Sequence, residues 1–355
     1  MAGKLDSVGI TRGSASHSAP GRASSLSIWA ALLAVYLVWG STYLAIRIGV
    51  ETLPPFLMAG VRFLVAGTVL FAFRRLRRDP VPTPAQWRSA VIIGLFMLVG
   101  GNGLVTFAEQ RVPSGIAALM VASAPLWMVL MDLIGIKRLF GQSRLHEPLN
   151  LEPLNLEPLK PTWKTILGVV VGFAGIALLV GPSELTGMAG EIDLIGSLVL
   201  SLAGFCWAAG SLYSRGAELP ASPLMGTSME MLAGGAGLIL LGSLTGEWGQ
   251  LHLQSVSLAS VSGLAYLIVF GALVGYTCYT WLLRSAPTAL VSTYAYVNPL
   301  VAILLGSLLA QEPITPRVLI ATAVILGAVG VITFTRPAVK HAETIPAVAP
   351  GSGDD

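Results

Sequence analysis

The chain has 355 residues, of which 54% are hydrophobic and only 11% are charged. Soluble domains carry about 25% charged residues, so this composition excludes an ordinary soluble protein. Apolar runs of about 18 or more residues recur between Ser27 and Phe334, and each could cross ~30 Å of hydrocarbon. The net charge of +3 does not indicate a nucleic-acid partner, because the basic residues lie between the apolar runs rather than on one face.

Both ends of the chain are polar. Residues 1–26 are rich in Ser, Gly and Ala and contain no apolar core, so we expect a disordered cytoplasmic tail rather than a cleaved signal peptide. Residues 336–355 are similar and are expected to form a second cytoplasmic tail. Cys206 and Cys278 lie inside apolar runs without metal-ligand spacing, and we interpret both as small buried side chains.

Ten membrane-spanning helices are predicted, because backbone polar groups in lipid must be satisfied within the segment. Four prolines stand at or just before predicted span starts, where a proline removes no helical hydrogen bond: Pro55, Pro113, Pro223 and Pro287. With boundaries good to about three residues, the predicted spans are residues 26–48, 56–73, 89–106, 114–136, 166–180, 194–211, 224–245, 258–283, 288–310 and 318–335.

The distribution of Lys and Arg predicts the orientation of the spans. Of the 21 basic residues, 17 fall in the two tails and in loops on the same side, three fall on the other side, and Arg62 lies within a span. Loops rich in Lys and Arg stay in the cytoplasm. We therefore expect a multi-pass protein of the cell (inner) membrane with both termini in the cytoplasm.

The chain contains two copies of one unit, which show as residues repeated at fixed offsets. The matched pairs are Trp39 and Trp207, Arg47 and Arg215, and Pro55 and Pro223, each 168 apart; Pro113 and Pro287, and Pro125 and Pro299, each 174 apart; and Gly172 and Gly327, and Gly175 and Gly330, each 155 apart. The fall in offset from 174 to 155 locates about 19 extra residues in the first copy. They form a tandem expansion in a loop insertion at about 140–162.

Each copy holds five predicted spans, and an odd number inverts the second copy relative to the first. We therefore predict an all-α integral membrane protein with ten transmembrane helices, arranged as two inverted five-helix repeats around a central cavity. The first repeat comprises residues 27–181 and the second 199–335. Residues 182–198 are the periplasmic linker and the start of the sixth span.

The motif Trp39-Gly40-Ser41-Thr42, followed by an apolar stretch to Pro55 and by Arg62, resembles the EamA domain. This domain is the repeat unit of the drug/metabolite transporter (DMT) superfamily, and the first span resembles its YedA-type exporters. The second copy departs from the motif, with Ala209 and Gly210 after its tryptophan and with Glu230 in place of the arginine. The resemblance implies a ten-helix bundle that works by alternating access and exports amino acids, metabolites or drugs without ATP hydrolysis.

No nucleotide-binding motif occurs in the sequence, and the four histidines lie in tails or loops without metal-ligand spacing. We therefore expect no ATP, cofactor or metal. An intramembrane enzyme would need paired carboxylates or a nucleophile with a base inside the spans. Glu230 is the single well-embedded acid that the pattern indicates, so enzyme activity is not expected.

Arg62 and Glu230 occupy equivalent positions inside the two copies. A charge at the centre of a span costs about 2.5–3.5 kcal/mol on insertion scales, so each should face a cavity or a partner. Inversion sets them at different depths, so we expect no direct salt bridge. Both are candidates for gating or coupling, with protons as the candidate coupling ion. The structural alternatives are a snorkelling Arg62 bonded to backbone carbonyls and a protonated or locally paired Glu230.

Uncharged polar and aromatic residues are the candidates for the substrate wall: Trp39, Ser41, Thr42, Asn102, Trp207, Tyr276, Tyr279, Tyr294 and Asn298. Tyr294 and Asn298 share a helix face, and Pro299 frees the carbonyl of Ala295. The alternative for the tyrosines is an interfacial belt or helix packing.

The leading hypothesis is a secondary transporter of small neutral or amphipathic solutes, such as amino acids, metabolites or drugs. The direction of export follows from the resemblance alone. The alternatives are a lipid-linked flippase, which would be expected to show a basic pocket for phosphate, and a non-transporting membrane scaffold, which needs no polar residues inside the bundle.

Overall fold

The computed structural model describes residues 24–134, 163–181, 193–214, 216–286, 288–291 and 293–335, and all regular secondary structure in these ranges is helical. We label the helices in chain order and count a helix with an internal distortion once. They are α1 (Ser25–Gly49), α2 (Pro55–Leu76), α3 (Pro84–Ile93, Gly94–Gly103 and Leu104–Ala108), α4 (Ser114–Val121 and Ala124–Leu133), α5 (Trp163–Val180), α6 (Leu194–Ser214), α7 (Pro223–Leu244), α8 (Leu258–Tyr266, Leu267–Val274 and Gly275–Ser285), α9 (Thr288–Val291 and Tyr294–Ala310) and α10 (Pro316–Thr335).

Within the described ranges, seven helices are long and apolar enough to cross a membrane, namely α1–α4 and α6–α8. The apolar parts of α5, α9 and α10 are shorter. Val61, Val65 and Val69 project from α2 at four-residue spacing and are 39–48% exposed, which marks a lipid-facing stripe. The predicted class, an all-α membrane protein, is confirmed.

The helix ends agree with the predicted spans to within three residues, with one exception. Helix α3 begins at Pro84, five residues before the predicted start at Ser89. Thr83 and Gln86 form a capping box that starts the helix in a polar segment. An apolar run does not extend into this turn because Gln86 and Arg88 interrupt it.

The predicted tails and loop insertion lie outside the described residues, except that α1 already begins at Ser25 with Ser24 as its N-cap. Residues 182–192 of the predicted linker are outside them too. Of the four prolines predicted at span starts, Pro55 and Pro223 are the first residues of α2 and α7, and Pro113 is the N-cap of α4. Pro287 is not among the described residues.

Helices α3 and α8 each contain a π-helical segment, at Gly94–Gly103 and Leu267–Val274. The two segments overlap when the chain is shifted by 174 residues, which is the offset between Pro113 and Pro287 and between Pro125 and Pro299. Segments of π-helix are rare and occur frequently at functional sites. The same distortion therefore recurs at corresponding places in the two halves of the chain.

The helices of the two halves pack in matched sets. Helix α2 packs on α7, α4 on α9 and α5 on α10. Helix α1 packs on α8 and α9, while its counterpart α6 packs on α3 and α4. The interior of the bundle is thus formed between the two halves rather than within either one.

Two tryptophans sit on glycines of the distorted helices. The ring of Trp39 packs directly on Gly275 of α8, and its Nε1 donates a 3.1 Å hydrogen bond to the carbonyl of Gly271. Trp207 packs on Gly101 of α3, where a Cβ would lie 3.0 Å from Trp207 Cε3. Small residues allow helices to approach this closely, so the glycines fix the depth to which each ring enters the bundle.

Carboxylates from the second half hold the starts of two helices of the first. Helix α2 begins without a side-chain cap, and the buried carboxylate of Glu247 accepts hydrogen bonds from the N–H groups of Phe56 (3.2 Å) and Leu57 (2.9 Å). Glu312 accepts in the same way from Ser114 (2.8 Å) and Gly115 (3.1 Å) at the start of α4. A negative charge at a helix N-terminus is stabilising, so these loops fix where α2 and α4 begin.

We expect Gly275→Ala to lower the melting temperature of the detergent-purified protein. The added methyl group would overlap the indole nitrogen of Trp39, and forcing a group into a packed interior costs about 1–3 kcal/mol. Gly327→Ala in α10 is the matched control, because a Cβ there meets no atom within 4 Å and alanine favours the helix. Equal melting temperatures for the two variants would contradict the packing of Trp39.

Candidate functional site

A cavity of about 180 Å³ lies between the two halves of the chain. Drug-sized ligands occupy pockets of about 300–1,000 Å³, so this cavity suits a smaller solute. Its walls come from α1, α2, α3, α4, α6, α8 and α9. The lining residues are Trp39, Thr42, Tyr43, Ile46, Arg62, Gly101, Asn102, Val105, Ala118, Val121, Ala122, Ala124, Pro125, Met128, Ala203, Trp207, Tyr276, Tyr294, Ala295, Asn298 and Pro299.

One wall of the cavity is aromatic and is centred on Trp39. Its ring lies 5.3 Å from Tyr276 and 5.2 Å from Tyr294, both edge-on, and 5.0 Å from Tyr279. Edge-to-face arrangements of this kind add about 0.5–1.5 kcal/mol per pair beyond burial. The rings hold one another in place, and they offer a solute a preformed apolar surface.

Polar groups interrupt the apolar wall at a few places. The Oδ1 atom of Asn298 is buried and has no hydrogen-bond partner among the described residues. Pro299 lacks an N–H group, so the carbonyl of Ala295 loses its usual helical donor beside the cavity. Thr42 is already bonded, since its hydroxyl donates to the Trp39 carbonyl at 2.6 Å. Asn298 and Ala295 therefore present acceptors that a solute can use.

Arg62 is the charged residue of the lining. It is 5% exposed, and its guanidinium lies against Gly271, where a Cβ would be 3.2 Å from Nη2. Its Nε is buried without a partner, and within the described part of the chain no hydrogen bond or ion pair satisfies the side chain. The alternative of a snorkelling arginine bonded to backbone carbonyls is therefore not what the structure shows.

Three predicted site residues are placed elsewhere. Ser41 lies at the contact of α1 with α8, where its hydroxyl donates to the Val38 carbonyl at 2.9 Å and lies 2.6 Å from the hydroxyl of Tyr266. Tyr279 stands behind Trp39 and does not line the cavity. Glu230 is partly buried in α7, also off the lining, and no ion pair joins it to Arg62 among the described residues.

The other predicted residues come together at the cavity: Trp39, Thr42, Asn102, Trp207, Tyr276, Tyr294, Asn298 and Arg62. The cavity is also lined by Tyr43, Pro125 and Met128, which were not predicted from the sequence. Pro125 carried a usable signal, because it is the repeat partner of Pro299. Among the described residues, no three His, Cys, Asp or Glu side chains gather as metal ligands would.

The structure adds a further buried acid, Glu109, which lies just beyond the predicted third span. Glu109 is 0% exposed, and both of its carboxyl oxygens lack a hydrogen-bond partner among the described residues. It follows α3 directly, beyond the apolar run, and Arg47 donates a 2.5 Å hydrogen bond to its backbone carbonyl. Tertiary packing against α1 buries this carboxyl, which sequence position alone places at a span end.

Comparisons with known proteins identify the chain's relatives. The EamA-like transporter family matches residues 26–142 and 194–334. The chain is 38% identical to the uncharacterized inner membrane transporter YedA of Escherichia coli (strain K12), over 88% of this chain and 92% of YedA. It is 23% identical to the uncharacterized transporter YvbV of Bacillus subtilis, over 88% of this chain and 94% of YvbV.

Two more distant matches also cover most of this chain. A WAT1-related chloroplastic protein of Arabidopsis thaliana is 26% identical over 86% of this chain and 69% of its own length. One solved crystal structure aligns with a TM-score of 0.50 at 21% identity, covering 88% of this chain and 98% of that one. That structural likeness concerns the fold alone.

The resemblance noted in the sequence is thus confirmed on both halves, because the family match includes Trp39 and Arg62 in one segment and Trp207 and Glu230 in the other. The match to YedA extends over most of both chains. The protein belongs to the EamA-like transporter family of the drug/metabolite transporter superfamily and is a multi-pass membrane transporter.

Proposed function

We propose that α1–α5 and α6–α10 are two inverted halves of a ten-helix bundle with both termini in the cytoplasm. The matched packing of helices and the paired π segments support this arrangement. So do Asp79 and Glu247, which are 168 residues apart. The carboxylate of Asp79 pairs with Arg74 and lies close to Ser222, the N-cap of α7, while Glu247 binds the start of α2.

We infer that the protein is a secondary transporter that binds small neutral or amphipathic solutes in the central cavity and moves them by alternating access. The observation that carries this inference is the cavity between the halves, to which Trp39 and Trp207 contribute equivalent rings. Location in the inner membrane follows by similarity to YedA. Export follows from the resemblance of the first span to exporters.

Protons are the proposed coupling ion, and Glu230 is the proposed gate residue. Its carboxyl is partly buried and makes no hydrogen bond with another described residue. Tyr276 lies within electrostatic range of both Glu230 and Arg62. A change of charge at Glu230 would therefore act close to the cavity wall.

A lipid-linked flippase is a weaker alternative. Its substrate would bring a phosphate group and a long chain, whereas the cavity holds about 180 Å³ and one arginine. A non-transporting scaffold does not account for an unpaired charge that faces a cavity, since such a group is costly inside a membrane.

Labelling of single cysteines tests the inversion. Val81→Cys, at a position 72% exposed after α2, and Leu253→Cys, at one 79% exposed after α7, would be introduced together with Cys206→Ser and Cys278→Ser. We expect a membrane-impermeant maleimide to reach the first only in inverted vesicles and the second only in intact cells. These loops correspond in the repeat, so labelling of both from one side would overturn the inversion.

Uptake into proteoliposomes tests the transport function. Under a proton gradient, with a panel of neutral amino acids and amphipathic dyes, we expect Trp39→Ala to reduce transport about 10-fold through loss of the aromatic wall. Trp29→Ala in the same helix is the control, because Trp29 is 55% exposed. If the native protein moves no solute, the transport proposal fails.

The pH dependence of transport tests Glu230. We expect Glu230→Gln to abolish proton-driven accumulation while downhill exchange continues, because an amide cannot take up the proton. Glu51→Gln, at an exposed position, should leave both activities intact. A Glu230→Gln protein with unchanged transport and an unchanged pH profile would remove this role.

A further inference from the structure

Arg62 presents a positive charge to the cavity; its guanidinium lies over the ring of Phe63, 4.8 Å from the centroid, but no described anion pairs with it. Its side chain is 95% buried, given its exposure of 5%, and lines the cavity, yet no acceptor among the described residues binds it. Buried charges in proteins are normally paired, since desolvation without a partner is strongly unfavourable. The partner of this guanidinium is therefore to be sought among molecules that enter the cavity.

The neighbouring carboxyl groups do not pair with Arg62. Glu109 lies within electrostatic range of Arg62, but its two oxygens are without hydrogen bonds, and the pair is beyond the 4.0 Å of an ion pair. Arg47 donates a hydrogen bond to the backbone carbonyl of Glu109, and Glu312 also lies within electrostatic range of its carboxyl. Glu230 does not reach the lining. The fork of donors on Arg62 thus stays free on the cavity side.

The geometry around the guanidinium limits what can bind. Trp39, Tyr276 and Tyr294 provide an aromatic surface in the same cavity, and the volume of about 180 Å³ favours a small solute. Arg62 is the one cationic side chain among the lining residues. A second negative charge would enter the site without a counter-charge.

We propose that the cavity takes a small amphipathic carboxylate, whose single anionic group binds Arg62 and whose aromatic or apolar body packs against Trp39, Tyr276 and Tyr294. The planar guanidinium matches a carboxylate with two parallel hydrogen bonds. A phosphate monoester would leave one charge desolvated and unpaired. This inference rests on the proposed transport function and names the substrate class of the same site.

Matched pairs of solutes test the proposal: 3-phenylpropionate with its amide, 4-methylpentanoate with its amide, and 2-phenylethyl phosphate as the dianion. Binding of each radiolabelled compound to the full-length protein would be measured by equilibrium dialysis. We expect each carboxylate to bind at least about 10-fold more tightly than its amide, and the phosphate to bind less tightly than the carboxylates.

Variants locate the preference at Arg62. We expect Arg62→Gln to bind carboxylate and amide equally, and Arg62→Lys to keep only part of the preference, because lysine supplies the charge without the planar fork. Arg77→Gln is the control, since Arg77 is exposed at the end of the same helix. Glu109→Gln should keep or enlarge the preference, because it removes a competing carboxyl.

Equal binding of carboxylates and amides by the native protein overturns the proposal, and this comparison needs no variant that could fail to fold. Binding of no carboxylate in the panel, tighter binding of the phosphate, or a preference that survives in Arg62→Gln overturns it as well. Uptake of the amides into liposomes would then leave the transport function standing. If the native protein also transports no solute of the panel, both the transport function and the carboxylate preference are wrong.

Discussion

The contact between Trp39 and the distorted part of α8 holds the cavity wall in place. The indole rests on Gly275, donates to the Gly271 carbonyl at 3.1 Å, and orders the tyrosine rings around it. The guanidinium of Arg62 lies against the same Gly271. Gly271 in the π-helical segment and Gly275 directly after it thus position both the aromatic surface and the charge, because neither carries a side chain that would displace them.

Polar groups inside this bundle fall into two kinds, and the difference separates structure from function. Glu247 and Glu312 accept hydrogen bonds from N–H groups at helix starts that have no partner within the helix, so their burial is compensated. Arg62 and Asn298 have no such partners for their buried atoms and face the cavity. Buried polar groups are almost always satisfied in folded proteins. Among the described residues, Glu109, Trp127 and Arg317 also carry an unsatisfied buried atom, but Arg62 and Asn298 are the two that line the cavity, which supports the proposal that a ligand binds there.

The sequence predicted the helices well because lipid imposes a strong and local constraint. Every span needs its own apolar run, and Pro55, Pro113 and Pro223 mark where runs begin. The same constraint makes the inward-facing side of each helix hard to predict from the sequence. A helix that is apolar on all sides has no polar face that would distinguish its two sides. Ser41 and Thr42 are adjacent in α1, yet only Thr42 lines the cavity. Glu109 was missed because neighbouring helices, rather than its own apolar run, bury it.

The sequence by itself determined the membrane class, the duplicated unit, the family and the residues that break the apolar pattern, since each of these is written in composition and spacing. Tertiary structure alone decided that Trp39, Arg62, Tyr276 and Asn298 border one cavity while Glu230 and Tyr279 do not. The physical reason is that the cavity exists only between the halves. Its lining depends on how close α1 and α8, or α6 and α3, can approach, and that distance is set by glycines and π turns whose effect appears only when the helices pack.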